Sequence, residues 1–303
     1  MQRVDRRAVA DTPTAFYELA LAEGWTDGLP VIAPTEALVD AMLAATPDAP
    51  DRVLGSLPPQ NREATVELVA INAVMAGCAP EGFPFVIAAL ESILQPAHNL
   101  YGVASTTGSA HPMLIVNGPS RDHVGIDYQD GCMGGAAGRG SATIGRAVSL
   151  CLRNIGGQLV GVTSRSVFGQ PARVGGLCFG EWEERSPWIT VAEQLGRPGG
   201  VDVVTTHSGM GTMAIADINC DDELDLLRLV AKSLSFPLGN KFLSPTPGNG
   251  QVVIAINPEW ARRFGRVFPD VADVKQYLLE HAWQPIDLWP EAGQRILEQK
   301  QRV

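Results

Sequence analysis

The 303-residue chain has little charge, no basic surplus, and none of the closely spaced cysteine or histidine pairs that mark a metal centre or a disulfide framework. Charged residues make up 18% and apolar residues 45%, which excludes a disordered chain and leaves enough apolar material for a substantial core. A formal charge of −10 argues against a nucleic-acid partner, because phosphate binding needs a basic face. No stretch approaches the roughly 18 apolar residues of a membrane span. Ala70–Met75 and Phe85–Leu90 are apolar but short, and the charged start of the chain leads into no apolar segment of signal-peptide length. The cysteines (Cys78, Cys132, Cys151, Cys178 and Cys220) are odd in number and lack any CxxC pair, which points to reduced thiols in a cytoplasm. There is no HExxH, Walker A loop, dinucleotide fingerprint or Gly-x-Ser-x-Gly elbow, so neither a metal nor another cofactor is expected.

What is present reads as alternating helices and strands. Residues 14–23 form a helical stripe closed by Gly24. The segment from Gly24 to Thr35 is punctuated by two glycines and two prolines and reads as extended. Thr35 then caps an amphipathic helix bearing Leu38, Val39, Met42 and Leu43. Asp48–Pro59 reads as a Pro-rich connector, and Ala64–Cys78 and Phe85–Leu94 as helices. His111–Asn117 is a continuous apolar run suited to a strand covered on both faces. Thr143–Asn154 is predicted helical, and Gly156–Gly180 to hold one or two short strands. Val201–Val204, Gly211–Ile218 and Gln251–Asn257 are predicted strands, Asp222–Ser235 and Asp270–His281 helices, and the tail a docking helix.

An internal repeat is expected from this pattern. Helix Val86–Gln95 and the strand ending at Asn117 resemble Leu226–Ser235 and the run ending at Asn257, with Thr106 on Thr246 and Gly108 on Gly248. The expected fold is therefore α/β, with two pseudo-repeated halves around a mixed sheet. Residues 1–60 would be an N-terminal helical and extended segment, 61–200 the first half, and 201–303 the second half with the terminal helix.

Five glycines between Asp130 and Gly140, followed by Ser141 at a helix start, form the most distinctive local signal. Glycines allow close backbone approach, and a helix start offers unpaired N–H donors. With Arg139 and Arg146 the segment suits an anion or polar ligand; the other reading is a surface loop before an ordinary capped helix. Cys132 lies within it, where a helix start and an arginine would lower a thiol pKa and make it nucleophilic. His111, at the mouth of the buried strand beside Thr106 and Thr107, and His207 in a Gly-bearing turn are acid/base candidates. Glu181, in a stretch rich in carboxylates and tryptophan, is an acid candidate if held against an aromatic ring.

Taken as a set, Gly24–Val31 with Pro34-Thr35, Ala64-Thr65-Val66, Asn72–Cys78, Asn117-Gly118-Pro119, Ala142–Ala147 and Ser186-Pro187-Trp188 resemble a widespread, uncharacterised bacterial protein family. That family is associated with proteins carrying a selenocysteine/Cys-Gly-Ser-Cys motif. The resemblance spans roughly residues 24–190. It implies that Asp27, Asn72, Cys78, Asn117, Thr143 and Arg146 share one site region, and it hints at thiol or redox chemistry. This chain carries no Cys-Gly-Ser-Cys of its own.

The leading expectation is an enzyme acting on a small polar or anionic organic molecule, by addition, elimination or hydrolysis at a carbon–heteroatom bond. Arg139, Ser141 and Arg146 would bind the anion; Thr106, Thr107 and Asn117 would orient it. Cys132, His111 or Glu181 would carry the chemistry. The alternatives are a ligand-binding or partner subunit of a redox system, and a metal-dependent hydrolase. The weakly charged surface suggests a homo-oligomer.

Overall fold

A computed structural model describes residues 4, 6–12, 14–134, 138–235 and 251–299. In chain order the elements are α1 Ala15–Glu23, α2 Glu36–Leu43, β1 Val53–Leu57, β2 Arg62–Thr65, α3 Val66–Ala76, α4 Phe83–Ile93, α5 Leu100–Ser105, β3 His111–Asn117, α6 Arg121–Val124, α7 Arg139–Asn154, α8 Ala172–Gly175, β4 Cys178–Gly180, α9 Val191–Gln194, β5 Val203–Gly209, α10 Glu223–Leu234, α11 Pro258–Val267, α12 Val271–His281 and α13 Glu291–Gln299. The architecture is α/β. The chain divides into two compact units, 1–182 with 190–212, and 183–189 with 213–303. This division falls elsewhere than at residues 60 and 200, and the first 60 residues belong to the first unit.

Helix boundaries follow local chemistry. Gly24 closes α1 in the left-handed region at φ 71°, donating its N–H to Ala20 and Leu21. Thr35, Thr65 and Asp222 cap α2, α3 and α10 through side-chain oxygens. The expected connector at 48–59 instead contains β1, which pairs antiparallel with β2. Pro58 and Pro59 belong to the turn of this hairpin, which composition alone does not separate from a linker.

The first unit is built on a three-stranded mixed sheet ordered β4-β3-β5. β3 runs parallel to β4 and antiparallel to β5. Every residue of β3 is buried, as its unbroken apolar run requires of a strand covered on both faces. Leu114 and Val116 face the main core, formed with α3, α4 and α7 around Ala73, Leu90, Ile93 and Leu150. Met113 and Ile115 face the other way, packing with Phe179 against Cys132, Met133, Leu177 and Val191. β4 approaches α7 closely because Gly145 and Gly176 lie back to back. A Cβ on Gly145 would sit 2.9 Å from the Leu177 nitrogen, and Gly176 has φ +72°.

The second unit packs α10, α11 and α12 around Leu226, Leu227, Val230, Phe264, Val274 and Leu278. Trp188 anchors its first segment by donating from Nε1 to the Phe268 carbonyl at 2.9 Å. Two predicted strands are corrected here. The expected breaks at 204 and 211 give way to one strand, β5, ending at Gly209 where its ladder partner begins at His111. Gly211–Ile218 and Gln251–Asn257 run without a ladder among the described residues, with Val252 65% and Ile218 98% exposed. Apolar alternation marks a segment able to be a strand, but only a neighbour makes it one. The two expected halves therefore differ: α4–β3 has a strand where α10 and Gln251–Asn257 have none. Thr246 and Gly248 lie outside the described residues.

Candidate functional site

The residues drawn from the Gly-rich segment and the family resemblance separate into a clasp along α7 and a cluster on the sheet. In the clasp, Arg146 donates from Nε and Nη2 to the two Asp27 carboxylate oxygens, both at 2.9 Å, and again to the Pro30 carbonyl at 3.0 Å. Arg139, about two turns earlier on α7, donates to the carbonyls of Gly77 and Cys78. Asn154 donates to Trp25 and to the Asn72 side chain, both at 2.8 Å. Thr143 turns its hydroxyl to the Arg139 carbonyl at 2.7 Å. Asp27, Asn72, Cys78, Thr143 and Arg146 thus all lie along this clasp. Asn117 is not: it lies on the sheet, donating to Glu181 Oε2 at 2.8 Å.

This geometry overturns the expected anion cradle. The Gly138 amide donates to Asp127 Oδ2 at 2.9 Å, and the Ser141 amide to the Gly125 carbonyl at 3.2 Å. The Ser141 hydroxyl in turn accepts from the Asp127 amide at 2.8 Å. The start of α7 is therefore occupied by the protein's own carboxylate and carbonyls, and a second anion would meet Asp127. Gly138 and Gly140 answer to packing: a Cβ on Gly138 would lie 2.3 Å from the Gly125 oxygen, and one on Gly140 2.5 Å from the Val124 oxygen. The predicted helix at Thr143 starts four residues earlier, at Arg139, where the Ala142 amide already donates to the Gly138 carbonyl at 3.1 Å.

Thiol activation is corrected too. Burial and the nearby Asp127 charge push the Cys132 thiol up, not down, and Arg139 is directed to the Gly77 turn. Burial holds Cys78 at about 11 despite Thr143, Arg139 and Arg146 beside it, and also raises Cys151 and Cys178. Asp27 goes the other way. Burial alone would raise its pKa, but Arg146 and the Leu29 amide outweigh burial and lower it. Glu181 is engaged by Asn117 and by the Val191 amide at 2.8 Å, so it ties β3 to α9.

The sheet cluster gathers at the amino end of β3. His111 is 6% exposed, and its Nδ1 has no hydrogen-bond partner. Strand alternation puts His111 on the face of Met113 and Ile115. His207, opposite Met113 on β5, shares that face as a diagonal neighbour, roughly 7 Å away by sheet geometry. Cys132 packs farther along it. Around the end of β3, the Thr107 carbonyl accepts from the Val167 amide at 3.1 Å, and Ser109 Oγ lies 2.9 Å from Ser166 Oγ. The Thr106 hydroxyl accepts from the Gly108 amide at 3.1 Å. Arg173 of α8 donates to Ser164 Oγ at 3.0 Å. Burial lowers the pKa of His111, with the Ser109 backbone opposing and the Arg173 charge adding to the effect. His207 is lowered by burial, and His98 by burial and by His207. His98 is held between Ser208 at 2.8 Å and Thr206 at 3.4 Å.

Sequence reading found His111, His207, Thr106 and Thr107 but missed His98 and Arg173. A usable signal for Arg173 was charge segregation: residues 131–180 carry five arginines and no Asp, Glu or Lys. Among the described residues no three His, Cys, Asp or Glu side chains are arranged to hold a metal ion, and no helix is long and apolar enough to cross a membrane. No protein-family model matches the chain, and no curated protein or solved structure matches it.

Proposed function

We propose that this chain is an enzyme acting on a small anionic organic molecule at a carbon–heteroatom bond, by addition, elimination or hydrolysis, with His111 as its acid–base group. The observation that carries this reading is the buried His111 imidazole with an unpartnered Nδ1 beside a cationic arginine. An unsatisfied buried polar atom costs about 1–3 kcal/mol, and such atoms persist mainly where they serve something besides stability. With its pKa lowered, the imidazole is neutral at pH 7 and able to accept a proton without first losing one. Thr106 and Thr107 line the approach, and Cys132 and His207 share the sheet face.

The direct test is a panel of hydroxy, amino, amide and unsaturated carboxylic acids followed by NMR for product. Wild-type protein is expected to convert at least one, and His111→Asn to slow that conversion about 100-fold or more. Conversion at the wild-type rate by the variant sinks the assignment.

A second reading, a non-catalytic ligand-binding subunit, is favoured by one observation: burial raises the pKa of every cysteine. Binding without conversion across the whole panel would decide for it. Free thiols support a reducing, cytoplasmic setting. Exposed Val160, Val162, Val167 and Phe168, at 63–98%, support a homo-oligomer covering that surface.

A further inference from the structure

The five arginines of residues 131–180 have unequal fates. Arg139 and Arg153 donate to backbone carbonyls, Arg146 is paired with Asp27, and Arg165 is exposed. Arg173 is half-buried, makes no ion pair with any described residue, and is bound only through Nη1 to the fully buried Ser164. Its Nη2 is buried with no partner. An unpaired guanidinium in that position is costly, and cations so placed are ordinarily neutralised by an anion. The unpartnered Nδ1 of His111, a residue 94% buried by its 6% exposure, is a second open polar atom at the same end of the sheet. Ser109, two residues before His111, and Ser166, seven before Arg173 and 7% exposed, are bonded to each other through their hydroxyls.

We propose that Arg173, with the Ser109 and Ser166 hydroxyls and the His111 imidazole, forms a subsite for a small monocarboxylate. The class follows from charge. One cation and three neutral polar groups balance a single negative charge, whereas a phosphate dianion would leave one uncompensated in a poorly solvated place. With Nη1 donating to Ser164, the unpartnered Nη2 offers its N–H donors to the carboxylate, and the hydroxyls accept or donate as needed. The subsite rests on the reading of His111 as the acid–base group, and it puts the carboxylate of the substrate next to that imidazole.

The test uses acetate and inorganic phosphate as probes on the full chain, by saturation-transfer NMR and by thermal melts. Acetate is expected to bind wild type, to bind Arg173→Gln at least 10-fold more weakly, and to be partly retained by Arg173→Lys. Without acetate, Arg173→Gln is expected to melt no lower than wild type, since it removes an uncompensated charge. Acetate is expected to raise the melting temperature of wild type and not of that variant. Acetate binding indifferent to Arg173, preference for phosphate, or a markedly destabilised Arg173→Gln each overturns the subsite. Binding is read without turnover. Acetate held at Arg173 by a protein that converts nothing refutes the enzyme reading alone; conversion lost in His111→Asn with acetate indifferent to Arg173 refutes the subsite alone.

Discussion

Replacing Arg146 by methionine removes one partner of a nearly dry ion pair and keeps most of the aliphatic bulk. In the native chain the pair is bidentate at 2.9 Å on both arms, with Arg146 13% and Asp27 8% exposed. Removing one member of a buried pair strands the other charge and costs about 3–5 kcal/mol. The residual exposure puts the expectation near the lower end, about 3 kcal/mol. For a unit of this size that is roughly 6–12 °C in melting temperature.

The pH dependence sharpens the test. Asp27 has a lowered folded pKa, so its contribution is complete above the unfolded value of about 3.9 and is lost as pH falls through the folded value. Without Arg146, burial prevails and raises the Asp27 pKa, so the variant is penalised most near pH 7 and least near pH 4. Urea denaturation followed by far-UV circular dichroism at both pH values measures this, with Asp27→Asn/Arg146→Met as the double variant. A penalty below about 1 kcal/mol at pH 7, or an equal penalty at both pH values, refutes the clasp as a structural device. A double variant costing the sum of the singles would do the same. Were Arg146 an open anion binder, the variant would lose ligand and keep its stability.

Thiol titration with an aromatic disulfide at pH 7.5 is expected to find no fast site in native protein and five thiols in urea. Fast, single-site labelling of Cys132 would contradict the raised pKa imposed by its burial and by Asp127. Gly145→Ala places a methyl 2.9 Å from the Leu177 nitrogen and 3.1 Å from the Gly176 Cα, both backbone. A loss of about 1–3 kcal/mol is expected in denaturant melts, and a neutral result would mean that α7 and β4 separate freely. The His111→Asn and Arg173→Gln outcomes complete the set, one read in turnover and the other in acetate binding.

Much of the helical framework was legible because its causes are local. Thr35 and Asp222 cap through bonds to residues two or three positions on, and Gly24 turns the chain by its own φ. The central strand His111–Asn117 was legible for a related reason, since a run apolar at every position has to be covered on both faces. The hairpin at β1 and β2 was hidden by its prolines. The runs at 211–218 and 251–257 showed the converse, an apolar pattern without a partner to pair with.

The sequence by itself determined which residues cap, turn and fill the core, because those properties depend on side-chain shape and on neighbours a few positions away. Only the tertiary structure decided which polar groups are already spoken for. Asp27 lies 119 residues from Arg146 and neutralises it; Asp127 fills the start of α7 that the glycines made look open. Arg173, equally basic on paper, meets no carboxylate among the described residues. Whether a charge is spent or available depends on what lies within about 4 Å in space, where Coulomb attraction outweighs solvation, and chain separation carries no information about that distance.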